Sequence, residues 1–234
     1  MIGNELNATV VLKRLITQAG NDGSVLDVGC LNFRQYHVAR NLGLTGQKHS
    51  GVDFARPEGQ IPSDFDFQFA DLNKSPIPFS DNSFDLVIAS HVIEHLAKPV
   101  EFFGDCARVC KPGGIIYVEA PSERSLMLPG MPFHHDKFLS TSFFDDPTHS
   151  FRPWTPQAFH RLTKYYQCVP LQADYYYSRV IRLLFPLLMI YALVMRDSTK
   201  FQNWTWRACG WSCFLIARKP NSLKGKPEFK YFVP

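Results

Sequence analysis

The sequence predicts an α/β fold, a doubly wound and mostly parallel sheet of seven strands with helices on its faces. Three observations predict it. Short apolar runs alternate with helical patterns along the chain. The first five runs are rich in Val, Ile, Leu and Phe, as strands covered on both faces should be. The first run also ends in a glycine turn that feeds a helix, the geometry with which such sheets build a ligand-binding edge.

The expected strands are 24–29, 49–54, 66–72, 84–90, 114–121, 167–176 and 212–219. A helix over 5–18 precedes them, with Leu6, Val10 and Lys13 on one side and Leu12, Leu15 and Ile16 completing an apolar face. Further helices are expected over 33–42 and 100–110, the latter stopped by Lys111-Pro112-Gly113-Gly114. Thr155 as N-cap and Pro156 at the first helical position open another. Residues 183–195 form a run without charge, bracketed by Arg182 and Arg196. A bilayer span needs nearer 20 residues, and Pro186 interrupts the run, so a hydrophobic helical insertion over 178–211 is expected instead.

A length of 234 residues suits one domain, taken as 1–234. Within it, 1–122 would form the cofactor half, 123–154 an acceptor-facing lid loop, 178–211 the insertion and 219–234 a basic tail carrying Lys219, Lys224, Lys226 and Lys230. Hydrophobic residues at 45% and charged residues at 20% argue against disorder. A net charge of +4, without a basic patch interleaved with stacking aromatics, argues against a nucleic-acid partner. The first residues lack the long apolar core and cleavage site of a signal peptide, and the six cysteines form no secreted-domain framework. A cytoplasmic protein with reduced thiols is expected, with a second expectation of peripheral contact through 178–197 at the inner face of a membrane.

Three carboxylates and one glycine lie where such a sheet would bind a ligand. Asp27 and Gly29 close the first strand, followed by Cys30. Asp53 ends the second, where it can accept both hydroxyls of a ribose. Asp71 ends the third, within reach of an adenine amino group. The block that follows, PIPFSDNSFDLVIASHVIEHLAKPVEFFGDCARVCKPGGIIYVEAPS (76–122), adds a specific pattern.

With LDVGC, the acidic strand ends, PFSDNSFDLVIASHVIEHL and KPGG in order, the chain resembles the class I S-adenosylmethionine-dependent methyltransferases. The likeness is to their small-molecule branch, which includes enzymes of ubiquinone and menaquinone biosynthesis. The resemblance implies a Rossmann-like methyltransferase fold with an antiparallel last strand, and S-adenosylmethionine as cofactor. It also implies a cofactor site drawn from Asp27, Gly29, Cys30, Asp53, Phe54, Asp71, Leu72, Ser90 and His91. One departure stands out. Where the family reads G-x-G-x-G, this chain reads Gly29-Cys30-Leu31-Asn32-Phe33, which weakens backbone approach to the cofactor and also excludes the dinucleotide fingerprint.

Two histidine patterns have the composition of metal sites but not their context or spacing, so no metal is expected. His91-Val92-Ile93-Glu94-His95 formally matches H-x-x-E-H, but it follows a buried strand inside the methyltransferase block. Glu94 and His95 are expected to start the next helix, where the dipole favours a carboxylate. The stretch 132–156, with His134, His135, Asp136, Asp145, Asp146 and His149, fits no zinc spacing. Its DDPTHSFRPWTP is similar to segments of family members from sugar and glycan pathways. Methyl transfer to oxygen needs a proton removed, and His149 and His91 are the candidate bases. The expected acceptor is a small molecule, a glycan or a lipid-linked compound. The rival reading is a degenerate fold that binds partners without catalysis.

Overall fold

The computed structural model describes residues 7–57, 59–128 and 142–222. Seven strands form one sheet in the order β3-β2-β1-β4-β5-β7-β6. They are β1 (Ser24–Val28), β2 (Lys48–Asp53), β3 (Phe65–Phe69), β4 (Phe84–Ser90), β5 (Cys110–Pro121), β6 (Val169–Tyr175) and β7 (Ser212–Arg218). Every pairing is parallel except those of β7, which runs antiparallel to both β5 and β6. The sheet reverses its winding between β1 and β4, so the ends of those strands open a crevice.

The helices are α1 (Ala8–Gln18), α2 (Arg34–Asn41), α3 (Pro99–Val109), α4 (Pro156–Tyr165), α5 (Arg179–Val194) and α6 (Ser198–Cys209). Leu26, Val28, Val87 and Ala89 join Phe102, Phe103 and Cys106 of α3 in the larger core. Val25, Leu86, Ile88 and Tyr117 pack with Val11, Leu12, Leu15 and Ile16 of α1 in a second core on the other face. Alternate residues of β1 and β4 thus feed opposite layers, as strands between two helical layers must. Each such large side chain, fully buried, contributes about 1.5–3 kcal/mol over leaving it in water. Val10, read from the sequence as part of the apolar side of α1, is exposed instead.

Local signals act where they were read. Thr155 Oγ1 accepts from the Ala158 amide at 3.0 Å, and Pro156 opens α4. The fifth strand begins at Cys110 rather than at 114, and Gly113 sits within it in the left-handed region at φ 80°, where the β4–β5 pairing jumps from Phe84↔Cys110 to Leu86↔Ile115 in a bulge. The insertion folds as two helices packed on one another, capped by Ser178 and Asp197, with Pro186 inside α5. No helix among the described residues is long and apolar enough to cross a membrane.

Three expectations change. Glu94 and His95 do not begin a helix; they lie in a separate 3-10 turn, Ile93–His95, before α3 starts at Pro99. The third strand stops at Phe69, so Asp71 belongs to the turn after it. Lys219 is not part of a solvated tail: it is buried, and its Nζ donates to Asn82 Oδ1 at 2.7 Å and to the Cys110 carbonyl at 2.8 Å. Lys224, Lys226 and Lys230 lie outside the described residues, as do His134, His135, Asp136 and the middle of the expected lid, 129–141. All six cysteines are free thiols, five of them buried.

Candidate active site

A cleft of about 580 Å³ lies at the carboxyl ends of β1, β2 and β4. Gly29, Leu31, Asp53, Phe54, Asp71, Leu72, Ser90 and His91 line it, together with Val92, His95, Leu96 and Thr148. Gly29 turns the chain out of β1 at φ 79°, and a Cβ there would stand 2.7 Å from Val92 Cγ2. The first loop therefore passes too close to the segment after β4 for any other residue.

Asp53 holds that loop to the end of β2. Its Oδ2 accepts from the Leu31 amide at 3.1 Å and its Oδ1 from the Ala55 amide at 3.0 Å. Further lone pairs remain for a ligand in the cleft. Asp71 accepts from the Asn73 amide at 3.0 Å and pairs with Lys74 at 2.9 Å, and these hydrogen bonds hold its carboxyl below the usual carboxylate range. Between the two carboxylates the wall is apolar, formed by Val52, Ala70, Leu72 and Leu96, and Phe54 stands exposed at the rim. A carboxylate at one end and flat apolar walls beside it suit a nucleoside, whose sugar needs acceptors and whose base needs surface.

The altered glycine loop has a structural explanation. Phe33 occupies the left-handed region at φ 48°, where glycine would be relaxed. Its ring turns away from the cleft, edge-on to Phe65 at 4.8 Å and Phe67 at 6.5 Å. Only Leu31 of the two replacements faces the cleft. Cys30 and Asp27, counted from the sequence among the cofactor residues, do not line it. The Cys30 side chain is buried against Gly51, where a Cβ would meet its Sγ at 2.4 Å. Asp27 is buried behind the loop. Burial, then the Asp53 charge, raise its pKa to about 8 against the pull of Arg34. Any contact Cys30 makes with a ligand falls to its backbone.

His91, a candidate base, lines the cleft between two carboxylates. It sits at φ 56° with its amide donating to the Glu119 carbonyl at 2.9 Å. Its Nδ1 lies 3.1 Å from Glu94 Oε1 and its Nε2 3.4 Å from Glu119 Oε1. Desolvation opposes the charged ring, but the two carboxylates outweigh it and raise the pKa to about 10. The two carboxylates thus favour the protonated ring, which suits a hydrogen-bond donor better than a base. Glu119 was not read from the sequence. It is buried in mid-sheet, where Tyr117, Ser90 and Ser212 hydroxyls donate to it. Burial would raise its carboxyl, and the His91 charge with these donors holds it below the ordinary value. A Glu on a strand reads as an ordinary alternating residue, so only the fold exposes its role.

His149, the other candidate base, is largely buried beside the cleft rather than in it. Its Nδ1 donates to the Phe143 carbonyl at 2.7 Å, and its ring stacks on Phe143 at 4.3 Å. It stands 5.0 Å from the ring of His95, which does line the cleft. The segment carrying it is tied down by the Ser150 and Phe151 amides, both donating to the Glu94 carbonyl. The two histidine patterns set apart in the sequence thus meet at one corner.

Comparison with known proteins agrees with the geometry. Residues 26–118 match the methyltransferase domain family. Over 136 residues the chain is 32% identical to a probable S-adenosylmethionine-dependent methyltransferase of Mycolicibacterium smegmatis, covering 53% of this chain and 49% of that one. A shorter stretch of 35 residues is 54% identical to the ubiquinone biosynthesis O-methyltransferase of Caulobacter vibrioides, 15% of this chain and 14% of that protein. The chain therefore spans about half, or less, of the length of these curated relatives. Among solved structures, phosphoethanolamine N-methyltransferase 2 of Haemonchus contortus, in complex with S-adenosyl-L-methionine, superposes with a TM-score of 0.60 at 15% identity. That match covers 90% of this chain and 52% of the other, and at such identity it speaks for the fold alone.

Proposed function

We propose that this chain, whose residues 26–118 match the methyltransferase domain family, is an S-adenosylmethionine-dependent methyltransferase that methylates an oxygen of a small-molecule, glycan or lipid-linked acceptor. The observation that carries the reading is the cleft itself. Its buried Asp53 carboxylate, apolar walls and tight Gly29 turn match a nucleoside at the switch point of the sheet.

When bound, S-adenosylmethionine supplies a methyl group on a sulfonium already activated for displacement. The chain's own work is then alignment and exclusion of water. Asp53 would accept the ribose hydroxyls, Leu72 and Phe54 would offer apolar surface to the base, and Asp71 would be the acceptor for its amino group. Leu31 and Val92 line the same cleft and would help exclude water from it. His91, held between Glu94 and Glu119, is a fixed donor on the floor rather than a base. Proton removal from the acceptor falls to the corner where His95, Thr148 and His149 meet.

An oxygen acceptor is favoured by that polar corner and by the 35-residue likeness to an O-methyltransferase. A lipid-linked acceptor is favoured by α5. Its Val180, Leu183, Leu184, Leu187, Ile190, Tyr191 and Val194 recur at helical spacing and are all exposed, with Arg179, Arg182 and Arg196 beside them. Such a face suits an anionic membrane surface from which an acceptor is drawn. The test is incubation of the purified chain with methyl-labelled S-adenosylmethionine and hydroxyl, amine and carbon acceptors, in detergent and with liposomes. Label on a hydroxyl oxygen is expected; label confined to nitrogen or carbon would overturn the choice of atom.

A further inference from the structure

We propose that Glu94, His95 and His149 form a binding site for a divalent transition-metal ion at the acceptor end of the cleft. One ligand atom from each of the three lies within 4.8 Å of the others. The nitrogens available are fixed by the surrounding hydrogen bonds. His149 Nδ1 faces the Phe143 carbonyl at 2.7 Å, which can only accept, so that nitrogen carries the hydrogen. His95 Nδ1 lies 3.2 Å from the Thr148 carbonyl and 3.0 Å from Thr148 Oγ1, whose own hydrogen goes to Asp146 Oδ1 at 2.6 Å. These contacts occupy Nδ1 of both rings and leave each Nε2 for a ligand, that of His149 lying 3.7 Å from Asp146 Oδ2. A metal-ligating histidine has this arrangement, with its far N–H on a carbonyl fixing tautomer and orientation.

A second observation points to a ligand independently. Glu94 is 1% exposed. Its Oε1 meets His91 Nδ1 at 3.1 Å, and its Oε2 is buried without any hydrogen-bond partner. An orphaned carboxylate oxygen is costly inside a protein, and a cation removes that cost. Two imidazole nitrogens and one carboxylate oxygen are the ligand set of open metal sites, which keep a position for water or substrate. Zinc-ligand bonds are about 2.0–2.2 Å, so ligation draws the three side chains inward from their present spacing. His95 and Thr148 line the cleft, so the open position faces it. On the methyltransferase reading, that position takes the acceptor hydroxyl, and the metal lowers its pKa so that its proton leaves to solvent before methylation. Binding of the metal does not depend on that reading. Sequence spacing hides the site, because it takes Glu94 and His95 from the turn after β4 and His149 from a loop more than fifty residues on.

The test is titration of the chelator-treated full chain with Co²⁺, followed by calorimetry and visible absorption, and then with Zn²⁺. The expected result is one equivalent bound with nitrogen–oxygen ligand-field bands and no thiolate charge-transfer band, which separates this site from the six cysteines. His149→Ala and His95→Ala should each weaken binding at least 10-fold, the scale expected when a ligand is removed. S-adenosylmethionine affinity should be unchanged in His149→Ala, which lies outside the cleft lining, and circular dichroism with a cooperative thermal transition shows that both variants fold. No stoichiometric binding, a thiolate spectrum, or full affinity in the folded variants would overturn the site. Metal binding in a chain that transfers no methyl group would instead refute the proposed activity and leave the site standing.

Discussion

His49 shows how one buried ring ties the protein's stability to pH. It lies on β2, its Nε2 is 3.0 Å from Gln47 Oε1, and its Nδ1 is buried without a partner. Burial, then the nearby Arg40, lower its pKa to about 4. The unfolded chain takes up this proton as pH falls below about 6.5, whereas the native ring refuses it until about 4. Stability therefore declines as pH falls through that window, by about 3 kcal/mol from this residue alone. Urea unfolding at pH 7 and pH 4.5 should show the loss, and His49→Phe should flatten this part of the pH dependence. An equal loss in the variant would assign it elsewhere. The same scale explains what sequence could not supply at the site. Acidic strand ends such as Asp53 are legible because they sit at fixed places in a repeating pattern. Glu119 and the left-handed His91 are not, because their roles depend on neighbours brought from distant strands.

Among the elements, α5 departs furthest from ordinary burial. Leu183 is 81% exposed and Leu187 67%, while only Ile181 and Ala192 of the helix are buried. The uncharged run was legible as a helix, but sequence left open whether it is core or interface. Its partner α6 covers one side and leaves the other uncovered by any described element. Removing that face from water against lipid favours docking by roughly 25 cal/mol per Å² buried. Leu183→Glu with Leu187→Glu should therefore abolish binding to anionic liposomes while leaving thermal stability and S-adenosylmethionine affinity within error, because neither side chain is buried. A collapse of stability would place the face in an internal contact, and unchanged sedimentation with liposomes would remove the membrane role. The turn at Ile93–His95 teaches the opposite lesson. The sequence predicts Glu94 and His95 at the start of a helix, yet α3 opens only at Pro99, and Glu94 and His95 stay in a turn whose Glu94 carbonyl receives the Ser150 and Phe151 amides.

For the molecule as a whole, seven strands and their order of appearance were legible because parallel strands buried on both faces leave continuous apolar runs. Pairing order was not, since nothing local in β6 or β7 records that β7 inserts between β5 and β6; the antiparallel last strand came from resemblance. The position of the cleft followed from the fold, and its chemistry from the carboxylates at its edge. The account's central claim is that this cleft binds S-adenosylmethionine with Asp53 on its ribose. Calorimetric titration of the full chain with S-adenosylmethionine and its demethylated product, repeated on folded Asp53→Ala, tests it most directly. One equivalent bound, weakened by about 1.5–3 kcal/mol in the variant, is the result predicted for a lost charge-assisted pair of hydrogen bonds. Absence of binding to the native chain, or equal affinity in the variant, would contradict it.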